Sequence, residues 1–213
     1  MRASHRYARS SLVIGFGAAV LAGRLARRRY LRWGASDAEL SAHLPGDELM
    51  ARADITATRA ITIGAAPAAV WPWIAQLGQG RGGFYTYDAL ENLLGCDLHS
   101  ADRIHPEWQH VSIGDPVRLH PEIALIAVVV DPGRALVIRG GVPMGNVAPP
   151  YDCTWAFVLL DAPGGATRLV VRERYGYSRW WSPLLVEPVQ LVSFVMSRGM
   201  LRGIRERAER AAG

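Results

Sequence analysis

The 213-residue chain contains no lysine. Schiff-base chemistry and the phosphate-binding lysine of a P-loop are excluded with it. Cysteine is scarce: Cys96 and Cys153 cannot build the disulfide framework of a small secreted scaffold. One bridge between them is the most they allow, and two reduced thiols are the expected state. No serine stands in a G-x-S-x-G elbow, and neither cysteine has an obvious paired histidine, so nucleophilic catalysis has no support. Acids are missing from one region only. The first 33 residues hold eight arginines and no Asp or Glu, whereas the rest holds sixteen arginines against nineteen acids. The formal charge of +5 is therefore a property of one end, and the body is weakly acidic. A nucleic-acid-binding domain, with a basic stripe on its folded surface, is not expected.

Half the residues are hydrophobic and one fifth are charged, as in a folded chain with a real core. Residues 1–33 form a basic segment around an uncharged stretch from Ser10 to Gly23, bounded by Arg9 and Arg24. Fourteen helical residues reach roughly 21 Å against a hydrocarbon core of about 30 Å. Leu25, Ala26 and snorkelling arginines extend that reach, so a short or tilted membrane anchor over residues 10–26 is the leading expectation. A signal peptide with Val20-Leu21-Ala22 before its cleavage site, and a plain soluble helix, are the alternatives. Five arginines after the stretch against three before it favour a cytoplasmic body.

Residues 34–54 are acidic, rich in small residues and broken by Pro45-Gly46, and read as a linker or wrapped arm. From residue 55 to the end the pattern is that of one domain. "TATRAITIGA" alternates as a strand, and "PAAVWPWIAQL" places Val70, Trp73, Ile74 and Leu77 at helical spacing. "YTYDALENLLG" reads as a second helix with Tyr87, Leu90 and Leu94 on one face. A weak strand, "DPVRLH", is followed by "IALIAVVVD", "RALVIRG", "YDCTWAFVLLD" and "ATRLVVRERYG", separated by short turns that predict an antiparallel meander. A long helix is expected from about Pro188, with Val189, Val192, Met196, Met200 and Ile204 on one seam. These elements predict an α+β layer in which a curved sheet and a long helix enclose a cavity.

The block "TRAITIGAAPAAVWPWIAQLGQGRGGFYTYDALENLLG", the strand "TRLVVRERYG" and the helix "SFVMSRGMLRGIRERAE" resemble the START-like, helix-grip superfamily, also called SRPBCC or polyketide cyclase/dehydrase-like. The resemblance runs from about Ala57 to the C-terminus. "LRWGASDAEL" followed by "LPGDEL" is similar to the approach segment of a bacterial subgroup whose members often carry a membrane-spanning N-terminus. The resemblance implies a hollow domain that binds an apolar or amphipathic small molecule. It implies no single reaction, because carriers, transfer proteins, cyclases and aromatases share the fold.

Gly78, Gly80 and Gly83 have the G-x-G-x-x-G spacing of a dinucleotide loop, but a helix precedes them and the later strands are antiparallel, so no cofactor is expected. They read instead as a reversal between two helices. Arg81 within it is a candidate for an anionic ligand group, against the commoner salt bridge. "CDLHSADRIHPEWQH" is dense in Cys, His and acids but lacks two tight ligand pairs, so no metal is expected and a polar loop at the cavity mouth is. Tyr87 and Glu91, like Asp88 and Asn92, stand four apart, so one ridge would enter the cavity unless it caps a loop. On "RLVVRERYG" the inward face carries Leu169, Val171, Glu173 and Tyr175. Buried Glu173 is then an acid or base, or is neutralised by an arginine such as Arg139. The expected ligand-binding set is Trp73, Arg81, Tyr85, Tyr87, Glu91, Trp155, Phe157, Glu173 and Met196. Catalysis, if present, would rest on Glu173, Asp88 or Tyr87.

The reading is a membrane-tethered domain that holds a lipid, isoprenoid or polyketide-like molecule, with no cofactor and no nucleic acid. A cyclase or dehydratase using the cavity's acid–base residues is the rival, and a domain with a filled core is a third. A cavity well below the ~300 Å³ of ordinary ligand sites would remove both ligand readings.

Overall fold

The computed structural model describes residues 21–93, 95–142 and 148–212; the side chains of Leu90 and Glu91 stand outside that description. Most of the expected anchor, residues 10–20, also lies outside it. Within it, residues 21–31 are helical (α1). A short helix, α2 (Asp37–Ser41), follows, started by a capping box between Ser36 and Glu39. Strand β1 (Ile55–Ile63) leads into α3 (Pro67–Ala75) and α4 (Asp88–Leu93). Five strands come next: β2 (Pro116–His120), β3 (Ile123–Asp131), β4 (Ala135–Gly140), β5 (Tyr151–Ala162) and β6 (Ala166–Tyr177). The chain closes with α5 (Ser182–Ala212).

The strands form one antiparallel sheet in the order β1-β6-β5-β4-β3-β2, so the first strand pairs with the last and the meander runs back from there. Register irregularities in β2 and β3, near Arg118 and Ala127, bend the sheet at its far edge. The curved sheet with α5 packed against it and short helices early in the chain is a helix-grip arrangement of the α+β class.

Period-two alternation assigns the faces. Ile61 and Ile63 of β1, Phe157 and Leu159 of β5, and Leu169 and Val171 of β6 join Met200, Leu201, Ile204 and Ala208 of α5 in the main core. The outer face has its own smaller cluster, Ala60, Val137, Ala156, Val158 and Val170 under Leu44. Residues 34–54 lie across this outer face, held by the outward arginines of β6. Arg168 bonds Glu39, and Arg172 and Arg174 both bond Asp47.

Two expectations change. The last helix begins at Ser182, and Pro188 sits inside it. Its 31 residues span about 46 Å. The helix after the glycine loop begins at Asp88, so Tyr87 precedes it and does not share a face with later residues. Glycine is required where α5 passes the loop before α4: a Cβ at Gly203 would lie 2.2 Å from the Tyr85 carbonyl oxygen.

Candidate functional site

Between the inner sheet face and α5 lie three chambers that share walls. The central one, about 230 Å³, is lined by Leu119, Leu125, Trp155, Glu173, Tyr175 and Met196 among others. Toward the start of α5 it adjoins a chamber of about 290 Å³ bounded by Val142, Tyr151, Tyr175, Leu185, Val186 and Val189. Toward α4 it adjoins one of about 140 Å³, where Phe84, Thr86, Cys96 and Leu98 close the end opposite Trp155 and Met200. The largest of the three, about 290 Å³, comes close to the ~300 Å³ at which ordinary ligand sites begin. The chamber walls are aliphatic and aromatic, with Phe84 stacked on Trp155 at 5.8 Å and Trp155 against Phe157 at 5.0 Å.

The charged part of the cavity is one buried cluster. Arg59 on β1 and Glu173 on β6 face inward with their strands' apolar residues and form an ion pair. The Arg59 side chain is 0% exposed and that of Glu173 4%. Ser193 and Ser197, four apart on α5, donate to the carboxylate at 2.6 and 2.9 Å, and the Tyr175 hydroxyl donates at 3.2 Å. Burial alone would push Glu173 up, but the Arg59 guanidinium and these hydroxyls hold it below the usual carboxylate range. Burial and the neighbouring carboxylate push Tyr175 well up. Burial likewise raises the Cys153 thiol to about 12, so it is no ready nucleophile. Arg59 also donates through Nε to the Tyr30 carbonyl at 3.2 Å, which ties α1 to the cluster.

Of the predicted site residues, Trp155, Glu173 and Met196 line the cavity together. The Trp155 indole N–H is buried and has no hydrogen-bond partner among the described residues. Phe157 is fully buried behind Trp155. Trp73 and Tyr85 meet edge to face in the core, and the Tyr85 hydroxyl donates to the Trp73 carbonyl at 3.1 Å. Arg81 donates to the carbonyls of Ala75 and Trp108, so it clamps the glycine loop to its neighbours. Gly78 and Gly83 pair through two backbone bonds of 3.0 Å, both at positive φ, in a tight reversal with no strand before it. Tyr87 is 48% exposed and lines no described chamber. Asp88 accepts from the Ser100 amide and hydroxyl at 2.7 and 2.6 Å, fastening the following loop. The side chain of Glu91 lies outside the described residues.

Arg139 is not the partner of Glu173. It pairs with Asp152 at 2.7 Å, because β4 is separated from β6 by the whole width of β5. The missed residues are Arg59, Ser193 and Ser197. Each carried a signal: an arginine in register with Ile61 and Ile63, and two serines in the seam of Met196 and Met200. Among the described residues no three His, Cys, Asp or Glu side chains are grouped to hold a metal ion.

No protein-family profile matches the chain, and no curated protein matches it. Solved structures do. MLL2253 from Mesorhizobium loti is 13% identical with a TM-score of 0.44, over 73% of this chain and 98% of that one. DynU16, from the dynemicin biosynthetic locus, is 16% identical with a TM-score of 0.40, over 70% of this chain and 46% of that one. The chain thus spans less than half of DynU16. CalU16 from Micromonospora echinospora is 15% identical with a TM-score of 0.34, over 73% and 84%. Likenesses this distant carry no argument about function.

Proposed function

We propose that the chain binds an apolar or amphipathic small molecule between its sheet and α5, while residues 10–26 hold it at a membrane. The observation that carries this reading is the set of adjoining, largely apolar chambers, about 140, 230 and 290 Å³, with a single charged cluster in their wall. Such a site is apolar over most of its area, with few groups to orient the ligand. The Trp155 indole N–H, without a hydrogen-bond partner among the described residues, supports a ligand that carries an acceptor oxygen. A lipid, isoprenoid or polyketide-like molecule has that chemistry.

The acid–base reading has less support. Both Glu173 carboxylate oxygens already accept bonds, from Arg59, Ser193, Ser197 and Tyr175. A carboxylate held below its usual range is a poor proton donor at neutral pH. Asp88 is committed to Ser100 and Tyr87 stands away from the chambers. The test is a titration of the full chain in detergent with parinaric acid, a fluorescent polyene fatty acid. Saturable binding is expected, weakened by Met196→Trp and by Leu125→Trp, which fill the central chamber from opposite sides. Binding that neither substitution changes, or no saturable binding, would overturn the proposal.

A further inference from the structure

The N-terminal half of α5 has two apolar faces. Leu185, Val186, Val189, Ser193 and Met196 look into the chambers. On the opposite side Leu184, Pro188, Leu191 and Val195 follow one another at helical spacing, all exposed, with Val192 beside them. Leu184 is 77% exposed and Leu191 57%. From Ser182 to Ser197 the only charged residue is Glu187, and it is bonded to Arg27 at 2.8 and 3.1 Å. A solvated helix face normally carries charge. Here an apolar stripe about 17 Å long, Leu184 to Val195, carries none. It is also the only part of α5 built this way: past Val195 the exposed positions are Arg202, Glu206, Glu209 and Arg210, then Ala211 and Ala212 at the helix end.

What meets this stripe follows from the neighbouring helix. Tyr30 packs on Phe194, and Arg198 and Arg202 lie over the Trp33 ring, so α1 ascends alongside α5 in the same direction. The described chain before Arg27, back to Leu21, therefore runs toward the N-terminal end of α5. Leu21 and Leu25 on α1 and Trp180 just before α5 add exposed apolar surface at this end, Trp180 at 87%. Arg24, Arg28 and Arg29 on α1 and Arg179 just before α5 are exposed as well. Apolar side chains rimmed by arginines and a tryptophan match the interface of an anionic bilayer.

We infer that the N-terminal half of α5, with the start of α1, lies on an anionic lipid bilayer, and that the outer chamber opens there. The inference rests on the ligand-binding reading for its purpose, but not for its geometry. The chamber bounded by Leu185, Val186 and Val189 belongs to the same two turns of helix, and Val189, 46% exposed, stands on the rim between the two faces. A membrane-dissolved ligand then passes from the bilayer past Val189 into the cavity without crossing water.

The test uses the full chain reconstituted in phosphatidylcholine vesicles with and without phosphatidylglycerol. An environment-sensitive fluorophore is placed by Leu191→Cys, or on the same helix by Glu206→Cys, in a Cys96→Ser background. Brominated lipids should quench the label at 191 and leave the label at 206 unquenched, with stronger quenching on anionic vesicles that salt relieves. Leu184→Glu with Leu191→Glu should lower parinaric acid transfer from vesicles about tenfold or more. The same double variant should bind parinaric acid in detergent as the parent does, so loss of docking and loss of ligand binding read out separately. An unquenched label at 191 would overturn the inference. So would a label at 191 that is protected only as protein concentration rises, because a second copy would then cover the stripe.

Discussion

Removing the Arg59 guanidinium tests the buried cluster on which the polar side of the site depends. Arg59→Met keeps much of the side chain's apolar volume but leaves the Glu173 carboxylate, 4% exposed, without its counter-charge. Breaking such a pair from one side costs about 3–5 kcal/mol. Ser193, Ser197 and Tyr175 still donate to the carboxylate, so a value near 3 kcal/mol is expected. For a chain of this size that lowers Tm by roughly 6–12 °C, read by circular dichroism in mild detergent. The sign of the pH dependence is more diagnostic than the size. With Arg59 present, Glu173 titrates below its ordinary value. Its contribution is then complete above the unfolded value of about 4.3 and is lost as pH falls through the folded one. Without Arg59, burial raises the folded value above the unfolded one. The contribution is then complete below about pH 4.3 and lost as pH rises. The penalty of Arg59→Met should therefore be greatest near neutrality and shrink toward about pH 5. Arg59→Met with Glu173→Met should recover most of the loss, since an apolar pair needs no counter-charge. A penalty under about 1 kcal/mol, a penalty flat with pH, or a double variant as unstable as the single would refute the reasoning.

Two further outcomes are expected. Gly203→Ala brings a Cβ to 2.2 Å from the Tyr85 carbonyl oxygen and should destabilise by about 2 kcal/mol despite alanine's helix propensity. Gly23→Ala, where nothing lies within 4 Å, should leave Tm unchanged or slightly raised in the same thermal scan. The hydrogen bonds from Arg168 hold Glu39 at about 2, so the strap over the outer sheet face stays fastened above the ordinary carboxylate range and loosens as pH falls from about 4 toward 2. Hydrogen exchange over residues 34–54 should rise across that window, and Arg168→Ala should bring the rise to neutral pH.

The architecture is legible because β-rich runs separated by short Pro-Gly turns leave little choice of pairing, as "IALIAVVVD" and "RALVIRG" on either side of Asp131-Pro132-Gly133 illustrate. The start of α5 was misplaced because Pro188 resembles a first-turn proline, whereas Ser182-Pro183 carries the start signal six residues earlier. Pro188 is tolerated within the helix on its exposed side. The inward direction of Glu173 followed from alternation alone. Its partner did not, because pairing of the first strand with the last brings together Arg59 and Glu173, 114 residues apart. "YTYDALENLLG" reads as one helix with Tyr87 on its face, but Tyr85 has a φ of 56° and the helix begins only at Asp88. No local periodicity encodes that break; the close pass of α5 at Gly203 does.

Native mass spectrometry of the full chain, extracted from its producing cells in mild detergent, addresses the central claim most directly. A bound small molecule of apolar or amphipathic character is expected, retained by the parent chain and lost from folded Met196→Trp and Leu125→Trp variants. A parent chain that carries no such molecule and takes up none from added lipid extract, or variants that retain it equally, would contradict the account.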